Sequence, residues 1–165
     1  MQPSPERLRF NELLKELKSE LKPGSIVYDL GKSIHWDYRP FFHGFKYKTI
    51  DCDGSKGPDY VMDIEVPGNA LRVKSADALI VHGVLEQCND PVKMIHGALM
   101  LLKPGGKALF GLISVGYPLY DNDRIRITPC GVKHYLKDLK ITREEPFYRN
   151  QNESMPTYIF VKGEK

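Results

Sequence analysis

Acidic and imidazole side chains end several apolar runs of this chain. Asp29, with Leu30 and Gly31, closes "IVYDLG"; Asp51 closes "YKTID"; Asp63 follows "DYVM"; His82 and Gly83 follow "ADALIV"; Ser114 ends "KALFGLIS". A carboxylate accepts several hydrogen bonds, and an imidazole or carboxylate can take a proton from a nucleophile. By residue type the candidate bases are His82, His35 and Asp123. A second cluster lies in "YPLYDNDRIR", where Tyr117, Tyr120, Asp121, Asp123, Arg124 and Arg126 mix rings with both charges. Rings with carboxylates suit a sugar or polyol, and the arginines suit a phosphate or carboxylate. The stretch "IVYDLGKSIHWDYRPFF", Ile26 to Phe42, starts as a strand feeding a nucleotide-binding turn. Lys32, Ser33, Ile34 and His35 then stand where a glycine-rich loop would continue.

The elements that must position these residues follow from periodicity. Leu8, Phe10, Leu13, Leu14, Leu17 and Leu21 recur at three- and four-residue spacing, which predicts a helix from Pro5 to Leu21 with one apolar face, ended by Pro23-Gly24. Strands are predicted over Ser25–Leu30, Tyr47–Asp51, a short run ending near Asp63, "ADALIVHGV" and "KALFGLIS". The fourth holds a continuous apolar run, as a strand covered on both faces should. Asp90-Pro91 opens a helix whose apolar positions are Val92, Ile95, Ala98, Leu99 and Leu102, and Lys103-Pro104-Gly105-Gly106 stops it. Thr128-Pro129 opens another, with Val132, Tyr135, Leu136 and Leu139 on one side. "LKITREEPFYR" and "TYIFVKGEK" read as closing strands joined by a polar turn at Asn150–Ser154. Strands alternating with helices predict an α/β, mostly parallel sheet, with ligands outside the carboxyl ends of the strands where strand order reverses. The expected organisation is one domain over 1–165, with residues 1–22 forming a helix packed on the sheet.

Composition narrows the function classes. The chain has 165 residues, 41% hydrophobic and 27% charged, with 24 basic and 21 acidic residues for a net charge of +3. That balance gives no strong nucleic-acid signal. No apolar stretch approaches the roughly 20 residues of a membrane span. Cys52, Cys88 and Cys130 form no CxxC pair, which argues against zinc and suits a reducing cytosol. "MQPSPERLRF" lacks the apolar centre of a signal peptide, so a cytoplasmic location is expected.

The series "VYDLG", "YKTIDCD", "DYVMDIEVP", "ADALIVHGVLEQCNDP" and "LLKPGGKALF", in that order, resembles the class I S-adenosylmethionine-dependent methyltransferases, in their small type 11-like branch, with a degenerate first glycine motif. "YPLYDNDRIRITPCGVKHYL" is similar to a later segment of that branch, and together the resemblance runs from Ser25 to Leu139. It implies a Rossmann-like fold: a seven-stranded sheet with helices on both faces and the last strand antiparallel, inserted beside the sixth. It implies S-adenosylmethionine as cofactor. Asp51, with Asp53 as a nearby substitute, would hold the ribose diol, and Asp63 with Ile64 would meet the adenine. Asp29, Leu30, Gly31, Lys32, Ser33, Cys52, His82, Gly83 and Leu85 complete the implied cofactor set. Ser33 occupies the second glycine position; at a positive φ its Cβ would cost roughly 1 kcal/mol or more. Gln87 replaces a frequent His of the family. The implied reaction is methyl transfer to a small-molecule or glycan-type acceptor at oxygen, with His82, Asp123 and Arg126 as its catalytic candidates. The pocket could be open, or completed by a second copy or another partner chain. The alternatives are a non-catalytic binding or regulatory domain of this type, or a nucleic-acid methyltransferase. The latter lacks a basic patch and the Asn/Asp-Pro-Pro-aromatic tetrapeptide after the fourth strand.

Overall fold

The computed structural model describes residues 3–66, 68–69, 75–118, 121–150 and 152–165. The first helix, α1, spans Pro5–Ser19, with Pro5 at a position where its missing N–H costs nothing. Phe10, Leu13, Leu14 and Leu17 are buried along one face, each worth roughly 1.5–3 kcal/mol relative to exposure. Leu8, expected on that face, is 51% exposed.

The strands are β1 (Ile26–Leu30), β2 (Lys46–Asp51), β3 (Tyr60–Val61), β4 (Ala76–His82), β5 (Leu102–Ile113), β6 (Lys140–Phe147) and β7 (Tyr158–Glu164). They form one seven-stranded sheet in the order β3-β2-β1-β4-β5-β7-β6. The pairs from β3 to β5 are parallel, and β7 runs antiparallel between β5 and β6. Strand order therefore reverses at β1 and β4, which sets a crevice above their carboxyl ends.

Among the described residues two more α-helices cover the sheet: α2 (Pro91–Met100) and α3 (Pro129–Tyr135). The Asp90 side chain accepts from the amides of Val92 and Lys93, and Thr128 Oγ1 accepts from that of Gly131, so both starts are capped as their sequence predicts. Alternate strand residues serve opposite faces. Val27, Ala78, Ile80, Leu109 and Phe160 pack with α1, while Tyr28, Leu79, Val81, Phe110 and Val161 pack with α2 and α3. On α2 the seam is shifted from the expected one: Val92 is exposed, and Met94 is buried beside Ile95, Ala98 and Leu99.

One further difference has a local cause. The expected stop at Lys103–Gly106 lies within β5. There the pairing with β4 slips between Ala76 and Ala78, and Gly105 takes up the irregularity at φ +74°. The β1–β2 crossover holds a 3₁₀ turn, Arg39–Phe42. Its Phe42 stacks on Tyr47 of β2 at 5.6 Å, so an aromatic contact covers the sheet there.

Candidate active site

A cleft of about 820 Å³ opens above the carboxyl ends of β1, β2 and β4. Its floor begins at Asp29, whose buried carboxylate accepts a hydrogen bond from the Tyr47 hydroxyl. Burial pushes the Asp29 carboxyl up to about 7, against the opposing pull of that hydrogen bond. Gly31 then turns the chain at φ +80°, and its amide donates to the Ile50 carbonyl at 2.9 Å. A Cβ there would collide with Val84 Cγ2, so both conformation and space demand glycine.

Beyond Gly31 the loop departs from the expected strain. No described non-glycine residue has a positive φ, so Ser33 carries no steric penalty. Its Oγ instead accepts from the amides of His35 (3.1 Å) and Trp36 (3.2 Å), closing the turn with a side chain. Lys32 Nζ donates to the Gly57 carbonyl at 2.7 Å, which ties the first loop to the one after β2.

The acids at β2 and β3 line one wall. Asp51 is only 6% exposed; its Oδ1 accepts from the Asp53 amide at 2.8 Å, and its Oδ2 meets Lys56 Nζ at 3.0 Å. Cys52 lines the cleft beside it. Asp53, the expected substitute, does not: it is exposed and caps its own turn by accepting from Ser55, which lowers its carboxyl pKa. Asp63 lines the cleft with Ile64, while its Oδ1 accepts from the Glu65 amide at 2.9 Å. Gly97 of α2 packs against the Ile64 carbonyl so closely that no Cβ would fit. Glu65, not anticipated from sequence, accepts from the amides of Asn89 (2.8 Å) and Asp90 (2.7 Å) and anchors this wall to the start of α2.

The opposite wall rises from α1, β4 and β7. His82 is stacked between Phe10 (ring centroids 4.2 Å apart) and Tyr158 (5.6 Å), and its Nδ1 lies 3.1 Å from the Tyr38 hydroxyl. Its Nε2 is buried without a hydrogen-bond partner among the described residues. Burial, then the nearby Arg7 charge, holds its pKa well below the ordinary range, so the ring is neutral at physiological pH. Gly111 beneath it leaves room for the ring, since a Cβ would strike His82 Cδ2. Arg7 of α1 crosses the cleft rim, with its guanidinium 5.0 Å above the Trp36 ring and 5.4 Å from that of Tyr38. Sequence reasoning missed Arg7, because an arginine on a charged helix carries no periodic signal.

Several candidates fall elsewhere. Asp123 and Arg126 pair with each other, and Arg126 also donates to the Pro118 carbonyl at 2.8 Å; neither lines the cleft. Their loop instead presents Asn122 and Arg124, and the Arg124 amide donates to the Glu86 carbonyl at 2.7 Å. Leu85 is buried in the core under α2 and is not part of the lining. Glu86 is fully buried, accepts from the Ile113 amide, and is pushed up to about 7 by burial. His35 lines the cleft but is exposed on the loop. Tyr120 lies outside the described residues. No group of three or more metal-ligating side chains occurs among the described residues.

No protein-family model matches the sequence, and no curated protein matches it. Solved structures do. The N-methyltransferase NodS from Bradyrhizobium japonicum WM9 matches with a TM-score of 0.76 at 13% identity, over 100% of this chain and 99% of that one. The fold is the class I methyltransferase fold. A 1,6-didemethyltoxoflavin-N1-methyltransferase from Burkholderia thailandensis, with bound 1,6-didemethyltoxoflavin and S-adenosylhomocysteine, matches with a TM-score of 0.68 at 14% identity, over 94% and 77% of the chains. The [4+2]-cyclase SpnF matches with a TM-score of 0.69 at 13% identity, over 95% and 80%. At such identities the likeness concerns architecture, and a cyclase within the group illustrates that one fold serves different reactions.

Proposed function

We propose that the cleft binds S-adenosylmethionine and that the protein transfers its methyl group to a small-molecule or glycan-type acceptor, at oxygen. The observation that carries this reading is the pair Asp51 and Asp63, presented on one wall at the ends of adjacent strands. They stand beside a strand-reversal crevice whose first turn requires Gly31. The residues fit the cofactor. Each Asp51 oxygen already receives one donor and keeps a second lone pair for a ribose hydroxyl. Asp63 and the Ile64 backbone would meet the adenine, with Cys52 at its edge. Leu30, Gly31, Lys32, Ser33 and Gly83 would surround the methionine portion. The cofactor supplies an electrophilic methyl group on a sulfonium.

What the protein adds is position and exclusion of water. Neutral His82 fixes the Tyr38 hydroxyl at the acceptor side, and that hydroxyl can orient an oxygen nucleophile. We assign Asp123 and Arg126 to holding their loop, because they pair with each other and Arg126 also donates to the Pro118 carbonyl. The rebuilt first loop, closed by Ser33 and bridged by Lys32, favours a second reading: a domain that binds a ligand or partner without catalysis. Calorimetric titration with S-adenosylhomocysteine tests both. A one-to-one site supports the first; no heat and no thermal shift at about 1 mM ligand would leave the second.

A further inference from the structure

We propose that Arg7, framed by Trp36 and Tyr38, is an anion-binding subsite for the methyl acceptor, so that the acceptor carries a carboxylate or phosphate on a flat apolar body. This rests on the functional reading above and names the acceptor class for the same cleft.

The argument starts from α1. Its first turns carry three charged residues in a row of environments. Glu6 meets Arg149 at 2.6 Å, and Arg9 meets Glu145 at 2.6 Å and Glu12. Arg7, between them in sequence, has no carboxylate within ion-pair distance among the described residues, yet it is the one that lines the cleft. Burial lowers its pKa against the opposing pull of Tyr158, Asp29 and Glu6, so its charge is only partly compensated. The rings of Trp36 and Tyr38 offset part of that cost and hold the guanidinium plane, leaving its donors for a ligand. A planar fork of donors suits a carboxylate or phosphate.

Position favours the acceptor over the cofactor. Arg7 lies over Tyr38, Tyr38 bonds His82, and His82 stacks on Tyr158, a continuous row above the ends of β4 and β7. The acids that suit a nucleoside stand over β2 and β3, on the other side of β1. Charge points the same way. Asp51 is answered by Lys56, whereas Arg7 and the exposed Arg124 line the cleft with no side-chain ion pair among the described residues. A cationic sulfonium and these guanidinium groups in one cleft favour an anionic acceptor over a neutral one.

The test uses benzoate and phenyl phosphate as probes, with benzyl alcohol as the neutral control, by calorimetry on wild type and Arg7→Met, with and without saturating S-adenosylhomocysteine. Met keeps an apolar stem over Trp36; Arg7→Lys, which keeps the charge without the fork, serves if Met does not fold. Wild type should bind at least one anion and prefer it to benzyl alcohol. The substitution should weaken that anion by about tenfold to a hundredfold while leaving S-adenosylhomocysteine affinity within about twofold. A comparable loss of S-adenosylhomocysteine affinity would move Arg7 to the cofactor and overturn the proposal. So would binding of neither anion, or equal binding of anions and benzyl alcohol. Absence of S-adenosylhomocysteine binding in wild type sinks the functional reading instead, and anion binding without it still reports on Arg7.

Discussion

The wall built on β2 and β3 and the wall built on α1, β4 and β7 face the same cleft with opposite electrostatics. On the first, the charged side chains that line the cleft already have partners: Asp51 with Lys56, Asp63 with the Glu65 amide, Glu65 with the start of α2. On the second, the guanidinium of Arg7 sits on rings without a carboxylate, and His82 Nε2 is buried with no partner among the described residues. A satisfied wall is rigid and can receive a ligand by sharing spare lone pairs. An unsatisfied wall stores desolvation cost that a ligand can relieve. On the proposed reading, the satisfied wall receives the cofactor and the unsatisfied wall discriminates among acceptors.

The hinge between the walls should be the most sensitive point. Gly31→Ala combines a Cβ at φ +80° with a collision against Val84, which should cost about 2–5 kcal/mol in all. Denaturant unfolding would show it, and loss of S-adenosylhomocysteine binding should accompany it. A stability unchanged within error would mean that the two walls are not coupled through this turn.

Asp51→Ala comes next. It should weaken S-adenosylhomocysteine binding by about 2–4 kcal/mol, because two hydrogen bonds to a carboxylate are lost. Since Asp51 is buried and accepts from the Asp53 amide, stability should also fall, by about 1–3 kcal/mol. Unchanged affinity in isothermal titration would remove the satisfied wall from cofactor binding.

A pH series sharpens the contrast at the floor of the cleft. Asp29 and Glu86 are both pushed up to about 7 by burial, from ordinary values near 4. The folded protein therefore binds more protons than the unfolded chain across that window, and this contribution to stability is lost as pH rises from about 4 through 7. Asp29→Asn keeps an acceptor for the Tyr47 hydroxyl and removes one titration. The melting temperature of that variant should fall less between pH 4.5 and 7.5 than that of the wild type. Parallel curves would show that Asp29 does not titrate there.

The smallest effect belongs to Ser33→Gly. The change removes two side-chain acceptor contacts and adds backbone freedom, so stability should drop by about 0.5–1.5 kcal/mol with no gain in cofactor affinity. Tighter S-adenosylhomocysteine binding would mean that the loop is still strained against its ligand.

Much of the satisfied wall was legible beforehand. Asp51, Asp63 and Gly31 end apolar runs, and a strand's end is local information. Asp53, Leu85, Asp123 and Arg126 lie outside the cleft lining, which residue type could not reveal, because whether an acid near a turn caps its own loop, or an arginine pairs with an acid three residues away, depends on side-chain direction. Ser33 shows the same limit: its residue type marked a missing glycine, yet only the backbone path reveals that φ never becomes positive.

The sequence by itself determined the alternation of strands and helices, the caps at Asp90 and Thr128, and the acids at strand ends, since each depends on neighbours within a few positions. Only the tertiary structure decided the second wall. Arg7, Trp36, His82 and Tyr158 come from four distant segments, and their shared face arises because β7 inserts beside β5 while α1 packs across the sheet. Residue type and spacing cannot encode that meeting; it depends on the strand order and on which face of α1 the burial of Phe10, Leu13 and Leu17 turns inward.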